Sequence, residues 1–250
     1  MKKLFIALVA FAISFHAVAE DQFSVSTGFD FSSGKYGNVA STNILYIPIT
    51  GKYEFDDFTI ELTIPHITIT GPGGVVQGIG RLGKPVTRTT KSTNSGLGDI
   101  TTSAGYTVYS GDSLSLDLVG NIKFGTADAK KGLGTGRNDY STQLDSYYTL
   151  DETTLFATAG YKVYGAPAGT KLNSAPYGTI GASQKLDEVT VGAMLDVTKS
   201  TSTTSQNQRE ATVYISQKIS TSLKVQANAM KGFSTSSPDF GGGIMITGDF

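Results

Sequence analysis

Side chains that could act as nucleophiles, bases or metal ligands are scarce in this chain. The sequence holds no cysteine and two histidines, His16 and His66. Thiol catalysis, disulfides and zinc-thiolate sites are therefore excluded, as is a metal site built from several histidines. The 20 basic and 21 acidic residues leave a formal net charge of −1, so bulk electrostatic binding of nucleic acid is not expected. We expect neither a metal nor a cofactor.

One residue could still serve as a general base. His66 follows Pro65, and a serine hydrolase of the Ser-His-Asn kind needs such a histidine. Its position in the alternation described below turns it outward, toward a membrane interface. Two interpretations stay open, a lipid hydrolase and a histidine that merely anchors a strand. We expect the anchor, and hence no enzyme.

Within the segments of the chain that alternate with period two, most ionisable residues fall on one phase of the alternation. Leu114, Leu116 and Leu118, for example, alternate with Ser115 and Asp117. Such alternation is typical of strands whose two faces meet different surroundings. The inward phase holds ten acids: Asp30, Glu54, Glu61, Asp99, Asp117, Asp139, Asp145, Asp196, Glu210 and Asp249. It also holds six bases: Lys52, Lys123, Lys162, Lys185, Lys218 and Lys224.

The secondary-structure elements that must position these residues are predicted to be β-strands along the whole chain after the N-terminal segment. The alternation predicts twelve, near 22–31, 41–55, 57–69, 97–109, 114–126, 138–150, 153–164, 175–186, 189–199, 209–219, 222–233 and 240–250. The connections alternate between tight turns such as Asp151-Glu152 and long loops rich in Gly, Ser, Thr and Asn. The long loops are 32–40, 70–96, 127–137, 165–174, 200–208 and 234–239.

Short turns at one end and long loops at the other are typical of outer-membrane β-barrels. The strands of a soluble β-sandwich would also show alternating polarity. Its short and long connections, however, would not alternate regularly along the chain. The outward phase carries almost no charge; the exceptions, Arg209 and Lys231, lie beside long loops. We therefore predict an all-β fold: a transmembrane antiparallel up-and-down β-barrel of about twelve strands.

The N-terminal segment has the plan of a secretory signal peptide. Lys2 and Lys3 precede an apolar run, and Ala17-Val18-Ala19 provides a small-residue cleavage site. We predict a signal peptide over 1–19, with an uncleaved anchor as the alternative, and a single barrel domain over 20–250. The expected location is the outer membrane of a Gram-negative bacterium, reached by the Sec route. Phe250, on the outward phase, is expected to contact the outer-membrane assembly machinery.

The predicted lumen permits two interpretations. Its charged residues either line a solute path or pair with each other and fill the barrel, and twelve strands do not decide between them. The pore-lining candidates are Asp99, Asp117, Lys123, Asp139, Asp145, Lys162, Asp196, Glu210, Lys218 and Lys224.

The loop 70–96 is unusual because it is basic, with no acid, and rich in glycine. Its cations are Arg81, Lys84, Arg88 and Lys91. They could contact the phosphates of surface lipopolysaccharide outside the barrel. Alternatively, the loop could fold inward and gate a pore against the acidic wall.

Several short motifs in chain order resemble one known family. They are Ser95-Gly96-Leu97-Gly98-Asp99-Ile100, Asn121-Ile122-Lys123-Phe124-Gly125-Thr126, Gly132-Leu133-Gly134-Thr135-Gly136 with Asn138-Asp139, and Ala159-Gly160-Tyr161-Lys162-Val163-Tyr164-Gly165. The chain resembles, best over 40–165, the outer-membrane transporter family named after the meta-pathway of phenol degradation. The family usually has Pro-Thr-Gly where this chain has Phe124-Gly125-Thr126.

The resemblance implies an outer-membrane barrel that passes small solutes, including aromatic or hydrophobic compounds. The alternatives are a structural or adhesive barrel without transport and, less favoured, a barrel lipid hydrolase. The expected partners are outer-membrane lipid, lipopolysaccharide and a small solute. The resemblance supplies no catalytic residues.

Overall fold

The fold is described by a computed structural model that covers residues 22–87, 89–203 and 205–250. The predicted signal peptide, 1–19, lies outside these residues. Among them, no helix is both long and apolar enough to cross a membrane.

Strands account for nearly all of the regular structure. They are β1 Gln22–Gly34, β2 Thr42–Phe55, β3 Phe58–Gly71, β4 Val75–Val76, β5 Gly80–Arg81, β6 Ser92–Leu97, β7 Thr101–Ser110, β8 Leu114–Lys123, β9 Asp139–Leu150, β10 Thr153–Val163, β11 Ala175–Leu186, β12 Val189–Thr198, β13 Gln208–Ser220, β14 Leu223–Gly232 and β15 Phe240–Asp249. A single 3₁₀ turn lies at Ala129–Lys131 within the described residues.

The sheet closes on itself. β1 pairs antiparallel with β2 on one side and with β15 on the other, in a register that sets Ser24 opposite Asp249. The other wall strands pair with their neighbours in the chain. β6 and β7 pair with successive parts of β3, so together they form one wall strand with a break at 98–100. β4 and β5 form a separate hairpin. The result is a closed antiparallel barrel of twelve strands, which confirms the predicted fold class.

The two ends of the barrel differ as the sequence predicts. At one end the turns are tight, and Asp56, Asp151 and Asp187 adopt left-handed backbone with φ of 48°, 51° and 55°. Aspartate tolerates this conformation because its short side chain hydrogen-bonds locally. At the other end the connections are 35–41, 72–91, 124–138, 164–174, 199–207 and 233–239.

One predicted boundary differs clearly from the structure. The long loop was expected to run to residue 96, but β6 begins at Ser92 and its six residues pair with His66–Gly71 of β3. The segment Ser92-Thr93-Asn94-Ser95 is polar enough to suggest a loop. It forms a strand because β3 supplies a full ladder of partners, with the Thr70 and Thr93 hydroxyls 2.9 Å apart.

The alternation separates a lipid-facing surface from the lumen. On β3, Ile60, Leu62 and Ile64 are each more than 40% exposed, whereas the intervening Thr63 is buried. The same outward phase carries aromatic rings at the tight-turn rim, where Phe58 packs on both Phe55 and Tyr106. Apolar bands bordered by aromatic residues are characteristic of membrane barrels.

Inside the barrel, aromatic rings lie directly over glycines of neighbouring strands. Tyr214 on β13 is opposite Gly192 on β12, and a Cβ on Gly192 would lie 2.3 Å from the Tyr214 ring. Tyr177 covers Gly160 in the same way. The missing Cβ therefore lets each ring lie flat against the wall instead of projecting into the lumen.

We expect the substitution Gly192→Ala to destabilise the barrel, because the new methyl group displaces the Tyr214 ring. Overpacking of this kind costs about 1–3 kcal/mol. The measurement is the temperature at which the compact form loses its fast mobility on an SDS gel. Gly120→Ala is the control, since a Cβ at Gly120 meets no atom within 4 Å. Equal melting temperatures for the two variants would contradict the expectation.

Candidate functional site in the lumen and its mouth

The long loop between β3 and β6 folds into the mouth of the barrel. Its residues Gly74–Leu82, here called the inserted hairpin, contain β4 and β5 and are closed by a bond from the Leu82 N–H to the Gly74 carbonyl of 2.7 Å. Gly78, with φ 72°, makes the turn possible. Val75, Val76 and Ile79 of the hairpin are all buried.

Two apolar clusters hold the hairpin in place. Val75 packs in the first cluster, with Tyr36, Ile44, Ile67, Ile69, Ala127 and Leu133. Val76 and Ile79 pack in the second, with Tyr164 and Ala175. The clusters draw on three other long loops and on inward-facing positions of β2, β3 and β11. The hairpin is thus buried on both sides by the walls of the mouth.

These clusters make the part of the lumen next to the long loops apolar. Ile44, Ile67 and Ile69 lie on the inward phase near the long loops, where they pack with Val75 of the hairpin. The same surroundings affect the tyrosines of the mouth. Burial raises the pKa of Tyr36 to about 12, and burial together with the nearby Asp139 carboxylate raises the pKa of Tyr164 to about 12.

The four loop cations are placed differently from one another. Arg81 donates to the Tyr36 and Gly83 carbonyls, both at 3.3 Å, so it ties the hairpin to the loop 35–41. Lys91 donates to the Ser41 hydroxyl at 3.1 Å, and Lys84 is exposed. Arg88 lies outside the described residues. The loop does fold inward as one hypothesis required, but Arg81 binds backbone carbonyls in this arrangement.

Below the hairpin, four of the predicted lumen residues form one ionic cluster. The Lys123 Nζ lies 2.6 Å from Asp99 Oδ2 and 3.4 Å from Asp139 Oδ2. The Lys162 Nζ lies 4.0 Å from the same Asp139 oxygen and 5.1 Å from the centre of the Tyr164 ring. Asp99 occupies the break between β6 and β7, so the cluster spans four adjacent wall strands.

Backbone donors complete this cluster. The Gly165 N–H donates to Asp139 Oδ1 at 2.9 Å, and the Ala127 N–H donates to Asp99 Oδ1 at 3.0 Å. Both donors belong to long loops, which the two carboxylates therefore anchor to the barrel wall. Charge-assisted bonds of this type are stronger than neutral ones. The cluster fixes the shape of the mouth as well as its charge.

The remaining acidic candidates have hydroxyl and amide partners. Asp117 lies opposite Asp145, and Asp196 lies opposite Glu210, in the antiparallel register. Thr107 donates to Asp117 at 2.8 Å, and Gln143 donates to Asp145 at 2.7 Å. Among the described residues, none of these four acids has a basic nitrogen within 4.0 Å. The wall therefore presents two pairs of acidic residues that form no direct ion pair within the described chain.

The last two candidates, Lys218 and Lys224, lie opposite each other on β13 and β14, close to the tight-turn end. The structure thus brings four candidates into one cluster, sets four acids in two pairs and leaves these lysines apart. That these ten candidates line a solute path stays a prediction.

Two open spaces border the tip of the inserted hairpin. The larger, about 370 Å³, is lined by Gly78, Lys123, Asp139, Gln143, Lys162 and Tyr177, among others. The smaller, about 100 Å³, is lined by Gln77, Asp30, Tyr46 and Asn228, among others. The hairpin therefore divides the upper lumen into two unequal compartments, and the larger one adjoins the ionic cluster.

The inserted hairpin was not predicted, although the sequence contains a signal for it. Val75-Val76 is flanked by Gly73-Gly74 on one side and by Gly78 on the other. Two β-branched residues between glycine turns are typical of a short hairpin. The burial of Val75 against Ile67 and Ile69 depends on the tertiary fold, which the local pattern does not determine.

His66 lies on the outward face of β3, where it is exposed and opposite Ile47 and Leu97. The described residues give it no hydrogen bond to a serine, asparagine or carboxylate. They also contain no group of three or more side chains suited to hold a metal ion. No catalytic constellation is assembled around this histidine in the part of the chain that the structure covers.

Comparisons with known structures agree with this architecture. An outer membrane channel from Pseudomonas putida F1 superimposes with a TM-score of 0.66 at 12% identity, covering 94% of this chain and 97% of that one. The KdgM porin superimposes with a TM-score of 0.57 at 11% identity, covering 91% of this chain and 99% of the porin. The NanC porin superimposes with a TM-score of 0.57 at 6% identity, covering 90% of this chain and 98% of the porin. At such identities the likeness concerns the fold.

A comparison with curated proteins finds no match. A family model does match, over residues 63–248, and its description is the MetA-pathway of phenol degradation. This range includes the ionic cluster and extends well beyond the segment in which the sequence motifs were recognised. The chain is therefore a member of the MetA-pathway of phenol degradation family of outer-membrane β-barrels.

Proposed function

We propose that this barrel is an outer-membrane channel for small solutes, with the inserted hairpin as its constriction. The observation that carries the proposal is the polar compartment of about 370 Å³ left open beside the hairpin. Its volume lies within the range of small-molecule sites, which is about 300–1,000 Å³. The structural relatives named as porins or as a channel support the same class of function.

The lining of this compartment favours a solute with both a ring and a polar group. The Tyr164 and Tyr177 rings lie beside the Lys162 ammonium and the Gln143 side chain, which accepts from the Tyr177 hydroxyl at 2.7 Å. Phenols and small aromatic acids combine these properties, and the family's description agrees with them. We therefore infer small aromatic compounds as the solute class.

The orientation follows from the loop lengths. We propose export by the Sec route in a Gram-negative cell, with the tight turns in the periplasm and the long loops outside. Lys84 and Lys91 are then available to the phosphates of lipopolysaccharide. Phe250, whose N–H donates to the Phe23 carbonyl at 2.8 Å, closes the periplasmic rim, where the assembly machinery would meet it.

One observation favours a second candidate, a structural barrel without transport. The two apolar clusters fasten the hairpin firmly, and a hairpin that never moves would leave the mouth closed to larger solutes. Conductance of the refolded protein separates these functions. We propose no catalytic role for His66.

We expect removal of Val75–Leu82 to raise single-channel conductance severalfold, since it opens the mouth. Gly74 and Leu82 are already hydrogen-bonded to each other, so Gly74 can be joined to Gly83 with little distortion. The measurement is conductance of the refolded barrel in a planar bilayer. Val39→Ser, which alters an exposed long-loop residue outside both clusters, is the control. An unchanged conductance after the deletion would refute the constriction.

We expect the wild-type channel to prefer cations, because the Asp117–Asp145 and Asp196–Glu210 pairs lack cationic partners among the described residues. The double variant Asp117→Asn/Asp145→Asn should lower the cation-to-anion permeability ratio by about half or more, measured from reversal potentials in a salt gradient. Asp151→Asn removes a charge from a tight turn instead and should leave the ratio unchanged. Equal effects of the two variants would show that the lumen acids do not set selectivity.

A further inference from the structure

Three cations lie on the outward surface where β12, β13 and β14 meet the long loops. They are Lys199, directly after β12, Arg209 and Lys231, and all three are exposed. Arg209 is opposite Val197, and Lys231 is opposite Ala211. The cations therefore follow a diagonal across neighbouring strands, a spacing that long side chains can bridge. We call these three residues the rim cations.

The rim cations have no acidic partner among the described residues. None of them takes part in an ion pair. The nearest acids along the strands, Asp196 and Glu210, are on the alternate phase and face the lumen. Exposed cations on the lipid side of a barrel are tolerated only near the interface, where headgroups are within reach. These residues thus mark the headgroup level and leave three positive charges for a ligand.

An apolar groove of about 550 Å³ begins beside the rim cations and crosses the lipid-facing surface of β9 to β13. Small side chains form part of its lining, namely those of Ala157, Ala182, Ala193 and Ala211. Larger ones border it, including those of Leu155, Ile180, Leu195 and Val213. Ala211 is directly opposite Lys231 and two residues after Arg209. One end of the groove therefore adjoins the positive charges.

The two ends of the barrel carry charges of opposite sign in their turns and loops. The tight turns carry acids only: Asp56, Asp57, Asp112, Asp151, Glu152, Asp187 and Glu188. The long loops carry mostly bases, including Lys84, Lys130, Lys131 and Arg137. The rim cations thus lie at the positive end of the molecule, the end that faces the anionic outer leaflet in the orientation proposed above.

We propose that the rim cations and the groove together bind one molecule of lipid A, the phosphorylated glycolipid anchor of lipopolysaccharide. The ammonium and guanidinium groups bind its phosphates, and one acyl chain occupies the groove. Three cations spread over neighbouring strands suit a ligand with two separate phosphates better than a phospholipid with one. The guanidinium of Arg209 offers a planar pair of donors to a phosphate oxygen pair.

The test is native mass spectrometry of the detergent-purified barrel titrated with bisphosphorylated lipid A. The triple variant Lys199→Gln/Arg209→Gln/Lys231→Gln should weaken binding at least tenfold. Lys130→Gln/Lys131→Gln/Lys171→Gln loses the same charge from exposed long-loop lysines and should change binding less than twofold. An equal loss in both triple variants would overturn the proposal, since it would show that only total charge matters.

Two further arms complete the experiment. Ala193→Leu/Ala211→Leu fills the groove while keeping every charge, and it should weaken binding of lipid A severalfold; unchanged binding would show that the groove holds no acyl chain. Phosphatidylglycerol bound as tightly as lipid A would refute the choice of ligand. Each variant is first checked for the heat-resistant compact form on an SDS gel. Lipid binding in detergent does not require conduction, so failure here and failure of the channel proposal are distinguishable.

Discussion

The structure depends on the need to pair every backbone amide in a medium without water. An unpaired N–H or carbonyl in lipid costs several kcal/mol, so a sheet in the membrane can have no free edge. The pairing of β1 with β15 removes the two edges that the other strands would leave. Everything else follows from this closure, because a closed sheet has an inside and an outside. The alternation of the sequence then assigns each side chain to one or the other.

Inside, the protein fills the space unevenly. At the mouth, the apolar clusters and the inserted hairpin close much of the opening, and the cluster around Lys123 and Asp139 ties the long loops to the wall. Further down, glycines such as Gly192 let aromatic rings lie flat, so the lumen keeps some of its width. The result is a narrow mouth above a lumen whose acids are mostly satisfied by hydroxyl groups. As the proposed channel, the barrel is expected to select solutes first by size and then by charge.

Much of this could be predicted from the sequence because period-two alternation is local. The predicted strand 175–186 coincides with β11, and most other boundaries fall within three residues of those observed. Strand β6 was missed because its polar residues become a strand only through pairing with β3. The hairpin was not predicted for a related reason. Two valines are too few to show a period, and their burial depends on residues that closure brings near: Ile67 and Ile69 for Val75, and Tyr164 and Ala175 for Val76. The pairing of Lys123 with both Asp99 and Asp139 depends likewise on register, which alternation alone does not determine.

The pairing of β1 with β15 also bears on the order of folding. Ser24 meets Asp249, about 225 positions away in the chain, so the closing contact joins segments from opposite ends of the domain. Local hairpins can form as soon as their turns exist, whereas this contact must wait until the last strand is available. Contacts of such long range make folding slow. Until they form, the chain exposes two unpaired strand edges, which would readily pair with other chains. The period between synthesis and closure is therefore when this protein depends most on protection from aggregation.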